Sequence, residues 1–271
     1  MKTNPDASYL KTAVAAAKIG GDILRRRFGR IRRIDRKGRI DIVTDADRRS
    51  EQAIIAYLSK ACPDHNILAE ETPAVDRKSP YTWIVDPLDG TTNYAHSYPV
   101  YAVSVGLESR GEVVAGAVFQ PATGELFTAE KGKGAFLNGA RIRASRVDSP
   151  DKALLVTGFP YDIAEDPGIT FPLFAAMFRS AQGIRRLGSA ALDLCYVACG
   201  RFDAFWEAKL KPWDTAAGAL IAREAGATVT DYAGRPYLCR MPSMLASNAL
   251  LHTRLFGIVR KTGRDSGISV R

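Results

Sequence analysis

Near the amino terminus apolar positions recur at helical spacing: Leu10, Val14, Ala17, Ile23 and Leu24 fall along one face, and Gly29 follows where a helix usually stops. This predicts a first helix over residues 7–28. Residues 40–43 read as a short strand. Thr44 then opens TDADRRSEQAIIAYLSKACP as an N-cap, with Asp45 and Asp47 in the turn that the helix dipole makes favourable for negative charge. Short β-like runs at 67–69 and 81–85 each end in acid, Glu70 and Glu71 after the first and Asp86 after the second. Alternating runs at 101–107 and 113–119 flank Arg110-Gly111, and runs at 135–137 and 141–143 bracket Asn138-Gly139, the strongest short hairpin dipeptide. Antiparallel sheet therefore fills the middle of the chain.

Beyond Ala153 the rhythm changes to alternating units: strand 153–157, helices 170–181 and 189–199, strand 202–206, helix 214–225. The pattern predicts a mixed α/β (α+β) fold in two halves. Residues 1–150 form an α+β half with the large antiparallel sheet, and residues 151–271 form an α/β half. The boundary at 147–152 has no linker of disordered composition, so the halves are expected to share an extensive interface. The chain shows no internal repeat.

Composition narrows the class. With 271 residues, 46% hydrophobic and 25% charged, the chain can bury a sizeable core and is neither disordered nor fibrous. No signal-peptide-like run is present, and no stretch approaches the roughly 20 apolar residues of a membrane span, which predicts a cytoplasmic protein. Cys62, Cys195, Cys199 and Cys239 form no CxxC pair and read as apolar packers in a reducing compartment. His65, His96 and His252 lack metal-ligand spacing, so zinc is not indicated.

The net charge is +9, and nine of the fifteen residues from Arg25 to Arg39 are Lys or Arg. Such a cluster suits nucleic acid or an anionic surface; it also suits a solvated helix end that steers phosphorylated substrates. The second reading is preferred, because no interleaved aromatics or nucleic-acid module accompany the charge.

The sharpest chemistry lies in WIVDPLDGTTNY at 83–94. Asp86 and Asp89 share one turn, Pro87 stiffens it, and Gly90 lets backbone N–H groups approach a phosphate. Hard carboxylate oxygens suit Mg²⁺, which keeps waters and bridges to phosphate. An acidic turn of this kind is also common without function. Glu70 and Asp214 stand at element ends as well, and four converging acids would repel one another unless cations neutralised them.

Together with DIVTDAD at 41–47, AEE at 69–71, KPWDTAAG at 211–218, GKGAFLNG at 132–139 and RRLGSAALDLCYVACGRFDAFWE at 185–207, this segment resembles the inositol monophosphatase family over nearly the whole chain. The resemblance implies a layered αβαβα sandwich, a homodimer, and a magnesium-dependent, lithium-sensitive phosphatase with its site where the halves meet. Glu70, Asp86, Asp89, Asp214 and the carbonyl of Leu88 are the implied ligands for two or three Mg²⁺ ions, with Mn²⁺ a substitute. Glu70 and Thr91 would orient a metal-bound water for in-line attack without a covalent intermediate, and Asp47 would hold Thr91. Gly90 and Thr91, followed by Thr92, would grip phosphate; Asp89, Ser189, Ala190 and Glu207 would meet substrate hydroxyls; Lys37 would add positive charge.

Glu207 stands where the family's inositol enzymes bind a ring hydroxyl, and Thr92-Asn93 replaces the lysine that usually follows DGT in nucleotide bisphosphatases. An inositol 1-phosphate-like substrate is therefore expected, with fructose 1,6-bisphosphate or another sugar or histidinol phosphate as the alternative. A regulatory RNA- or transcription-associated binding protein is the rival from another class. Two look-alike motifs fail. CYVACGR at 195–201 has cysteine-phosphatase spacing but sits in an apolar helix, and LDGTT has Pro87 where an aspartyl nucleophile would stand.

Overall fold

The computed structural model describes residues 9–31 and 33–268. Residues 7 and 8 of the predicted first helix, and Arg32 of the basic segment, lie outside the described residues. Helix α1 (Tyr9–Arg27) and a two-stranded ribbon, β1 (Ile34–Arg36) with β2 (Ile42–Thr44), lead into α2 (Asp45–Ala61). Thr44 caps α2 with a full capping box: its hydroxyl accepts from the amides of Ala46 and Asp47, and Asp47 reaches back to the Thr44 amide.

Seven strands follow in chain order across one sheet: β3 (Asn66–Ala69), β4 (Tyr81–Asp89), β5 (Ala102–Ser109), β6 (Glu112–Gln120), β7 (Glu125–Glu130), β8 (Gly134–Leu137) and β9 (Ala140–Arg141). Only β3 and β4 pair in parallel. A short helix, α3 (Thr91–Ala95), interrupts the run after β4 where a tight loop was expected.

The chain then leaves for a five-stranded mixed sheet made of β10 (Leu154–Thr157), β11 (Gly183–Arg185), β12 (Ala204–Ala208), β13 (Ala227–Thr230) and β14 (Ser243–Asn248), in the order β11-β10-β12-β14-β13. Its helices are α4 (Thr170–Ser180), α5 (Ala190–Ala198), α6 (Pro212–Glu224) and α7 (His252–Asp265).

Three cores separate five layers. Helices α1 and α2 cover one face of the seven-stranded sheet around Leu24, Ile54 and Trp83. Helices α5 and α6 fill the space between the two sheets around Leu194, Ile221 and Phe205. Helices α4 and α7 close the outside around Leu173, Trp206 and Leu255. The arrangement is the αβαβα sandwich. Close contact in the middle layer depends on Gly116, where a Cβ would stand 3.0 Å from Ala217 Cα; this lets α6 lie against β6 and fixes its first turn, which carries Asp214.

Candidate active site

Strand β4 is buried from Trp83 to Leu88, so it delivers Asp86 into the interior at 1% exposure. Carboxylates three apart on a regular strand would face opposite ways. Pairing with β5 shifts between Asp86 and Asp89, where Pro87 has no N–H for the ladder, and the bulge turns both acids into one cavity. Ser50 of α2 anchors this bulge, its hydroxyl donating to the Pro87 carbonyl at 2.9 Å.

Gly90 then adopts φ +93°. A Cβ there would lie 2.9 Å from the Val100 carbonyl oxygen, so the turn into α3 admits only glycine without displacement. Thr91 Oγ1 lies 2.9 Å from Asp47 Oδ1 and 3.0 Å from the Leu88 carbonyl. Its single proton serves one of them at a time.

Parallel pairing of Ala69 with Val85 sends the next residues, Glu70 and Asp86, out of the sheet side by side. Pro212 at the start of α6 and the bond from the Lys211 amide to Asp214 Oδ2, 2.7 Å, hold the fourth acid in the helix's first turn. Asp89 is clamped from α5, where Ser189 Oγ donates at 2.6 Å and the Ala191 amide at 2.7 Å. Lys37, in the ribbon between β1 and β2, donates to Glu70 at 2.6 Å and to Glu71 at 2.8 Å.

Glu70, Asp86, Leu88, Asp89 and Asp214 all line one cavity of about 390 Å³. Burial drives every one of these acids up. Glu70 is pushed to about 8, against the pull of Lys37, with Glu71 and Asp214 repelling it. Asp214 reaches about 7 and Asp89 about 6 despite their hydrogen bonds. Asp86 lies well above the usual range, with Glu70, Asp89 and Asp214 all adding to the effect of burial. Lys37 is held charged by Glu70 and Glu71 although burial opposes it.

Among the described residues, no three His, Cys, Asp or Glu side chains stand close enough together to hold a metal ion by themselves. The acids instead rim an open cavity, the arrangement suited to a hard cation that keeps several waters and meets phosphate. Oxygen-only donors, buried and mutually repelling, fit magnesium.

The sequence profile of the inositol monophosphatase family matches residues 6–264. The chain belongs to this family. It is 44% identical over 250 residues to an inositol-1-monophosphatase of Synechocystis sp., covering 92% of this chain and 87% of that one. The Nus factor SuhB of Vibrio cholerae is 39% identical over 260 residues, 95% of this chain and 97% of that one. The crystal structure of extragenic suppressor protein suhB from Bartonella henselae superimposes with a TM-score of 0.89 at 40% identity, covering 94% and 99% of the two chains. As a member of the inositol monophosphatase family, this protein is a phosphoric monoester hydrolase acting on a phosphorylated small molecule.

The family's expected site residues fall in two places. Lys37, Gly90, Thr91, Ser189, Ala190 and Glu207 line the same cavity as the acids. Asp47 lies behind it, fully buried and touching Thr91; burial lifts it to about 6 against its bonds from Thr44 and Thr91. Thr92 is the exception, exposed and outside the lining, because α3 turns its side chain away from Thr91's. The lining also includes residues that had not been singled out, among them Tyr161, Arg186, Asp193 and Lys209. Asp193 follows Ser189 by one helical turn, a spacing visible within SAALDL.

Other candidates resolve as packing. Cys195 is buried in α5 and burial lifts its thiol well above its ordinary value, as burial also raises Cys199. His65 stacks on Tyr81 at 4.8 Å, and His252 lies between Thr230 and Ser247. Of the eight described Lys and Arg residues between 25 and 39, Arg25, Arg27, Arg33, Lys37 and Arg39 hold acidic partners. Among the described residues no helix is long and apolar enough to cross a membrane.

Proposed function

We propose that this phosphatase hydrolyses inositol 1-phosphate or a closely similar polyol monophosphate, with two or three magnesium ions held by Glu70, Asp86, Asp89, Asp214 and the Leu88 carbonyl. The observation that carries the reading is the meeting of those four acids, from three separate stretches of chain, on one cavity beside the Gly90 turn. When bound, magnesium supplies Lewis acidity, neutralising phosphoryl charge and lowering the pKa of water.

The chain's own groups do the rest. Glu70 and the Thr91 hydroxyl would orient the attacking water, and the ionised Glu70 carboxylate would take its proton. Asp47, itself fixed by Thr44, holds Thr91 in place. The amides of Gly90 and Thr91, at the αL turn, face the phosphate. Glu207, whose carboxyl has no hydrogen bond among the described residues, receives polyol hydroxyls with Ser189, Ala190 and an oxygen of Asp89. Lys37 adds positive charge at the rim. The same reading makes the protein a cytoplasmic homodimer with a residue 1–150 half carrying most ligands and a 151–271 half supplying Asp214. Mn²⁺ would substitute.

Magnesium-dependent phosphate release across inositol 1-phosphate, fructose 1,6-bisphosphate, histidinol phosphate and adenosine 3′,5′-bisphosphate tests the assignment. Inositol 1-phosphate is expected to rank first; a bisphosphate in that place would move the protein to the alternative, and no release from any would reject the reading. The likeness to a Nus factor supports a second role in RNA binding through residues 25–39. Salt-sensitive RNA binding that survives Asp86→Asn would establish it, and none at low salt would remove it.

A further inference from the structure

We infer that Asp193 is a specificity-determining residue that hydrogen-bonds a hydroxyl of the substrate's leaving group beside Glu207. The inference rests on the polyol-phosphatase reading and assigns a residue that reading does not use.

Asp193 is 1% exposed, and neither of its carboxyl oxygens has a hydrogen-bond partner. Such orphaned polar atoms are rare in folded proteins, because the lost hydration is not replaced. A carboxyl kept in that state contributes nothing to the fold through hydrogen bonding. Its position says what it could contribute instead. It sits one turn after Ser189 on α5, and helical side chains tilt toward the helix N-terminus, here toward the Ser189–Asp89 clamp. It lines the same cavity as Glu207 and Arg186.

The chemistry of the neighbours agrees. Burial, then Glu207 and Asp89, push the Asp193 acid well above its ordinary value, with Arg186 opposing. A carboxyl accepts hydrogen bonds in either form and donates one as well when protonated, and a hydroxyl is the ligand that answers both. Glu207 beside it likewise makes no protein hydrogen bond, and Arg186 holds no acid as an ion-pair partner among the described residues. Three polar groups thus share the cavity with no side-chain partner of their own among the described residues. A leaving group with several hydroxyls would complete them; a bare aromatic one would not.

The test compares two substrates in the magnesium-loaded enzyme: its best polyol phosphate and phenyl phosphate, whose leaving group carries no further hydroxyl. Asp193→Leu is nearly isosteric and breaks no hydrogen bond, so its Tm should be no lower than wild type. The ratio of kcat/KM for polyol phosphate over phenyl phosphate should fall about twentyfold, mostly through KM. Asp193→Asn, which still donates and accepts, should recover most of that ratio. An unchanged ratio, or an equal loss on both substrates, would overturn the inference and leave a purely structural residue. If Asp193→Leu does not fold, Asp193→Ala reads the same ratio. If wild type releases phosphate from neither substrate, the phosphatase reading itself has failed; if it is active and the ratio holds, only the role of Asp193 has.

Discussion

The two walls of the cavity are built on opposite principles. On the wall made by β4, α3 and the start of α6, each acid is tied down by the protein. Asp86 takes the Leu88 amide at 2.9 Å, Asp89 takes Ser189 and Ala191, Asp214 takes the Lys211 amide, and Asp47 takes Thr44 and Thr91. On the wall made by β12 and the first turn of α5, both carboxyl oxygens of buried Asp193 lack a hydrogen-bond partner, and the buried Glu207 carboxyl has none among the described residues. On the proposed reading the first wall is preorganised for a cation and a phosphoryl group, where misplacement is costly. The other would, on the same reading, be completed by the hydroxyls of an entering polyol, which would separate selectivity from catalytic power.

The sharpest way to break that division is Asp86→Asn. An asparagine carbonyl can still accept the Leu88 amide, so the fold has no reason to suffer, and removing one of four repelling charges should leave Tm equal or higher. Turnover should fall by about a thousandfold or more, as expected when a ligand to the catalytic cation is lost. Near-normal kcat with magnesium present would remove Asp86 from the site.

The same wall makes stability depend on pH in an unusual direction. Glu70 and Asp214 are raised by burial to about 8 and about 7, so the folded protein keeps protons that the unfolded chain has already released. The stability these two acids contribute should therefore be greatest below the ordinary carboxylate range and be lost as pH rises from about 4 toward 8. Magnesium replaces the protons as the neutralising charge and should flatten the decline. Thermal melts in EDTA and in magnesium, compared at pH 5 and pH 8, should show the larger magnesium stabilisation at pH 8; parallel profiles would mean that the cation does not meet these acids.

The wall that carries the tied-down acids was also the more legible in the sequence, and for a physical reason. Its acids lie in short motifs whose geometry is local: the Thr44 cap, the Asp86-to-Gly90 turn, and the Pro212-to-Asp214 helix start all fold as their own residues dictate. The hairpin turns were equally local, with Arg110-Gly111 and Asn138-Gly139 all at positive φ. What escaped depended on distant partners. The strand expected at 202–206 begins at Ala204 because Asp203 bonds Leu154 and Ser145. The strand expected at 40–43 starts at Ile42 because Lys37 and Asp41 close a turn that leaves Ile40 exposed. The strand expected at 141–143 ends at Arg141, since Ala144 already bonds the end of α6. Strand β11, only three residues long, has no periodicity to detect. Asp193 hid within an apolar helix, and its lack of partners is a property of the packed structure alone.

Gly90→Ala asks how much of the preorganisation lies in the backbone. The substitution forces a side chain into φ +93° and against the Val100 carbonyl. A cost of about 2 kcal/mol follows from the strain, lowering Tm by roughly 6 °C. Because the displaced amides are those proposed to grip phosphate, kcat should fall by about a hundredfold on polyol and aromatic phosphates alike. A loss confined to polyol substrates would place this turn on the selective wall instead.

The smallest effect, and the one that separates support from chemistry, is expected at Thr44. Its hydroxyl closes the cap of α2 and also contacts Asp47 Oδ2, while Asp47 Oδ1 meets Thr91. Thr44→Ala removes the cap, worth about 1 kcal/mol, or roughly 3 °C in Tm. Asp47 would retain the Thr44 amide at 2.9 Å, so its carboxyl should rotate rather than leave, and kcat should fall by less than about tenfold. Thr44→Ser restores the hydroxyl and should recover both quantities. If it recovers Tm but not kcat, the methyl group's packing, not the hydrogen-bond relay from Thr44 through Asp47 to Thr91, is what holds the catalytic hydroxyl in position.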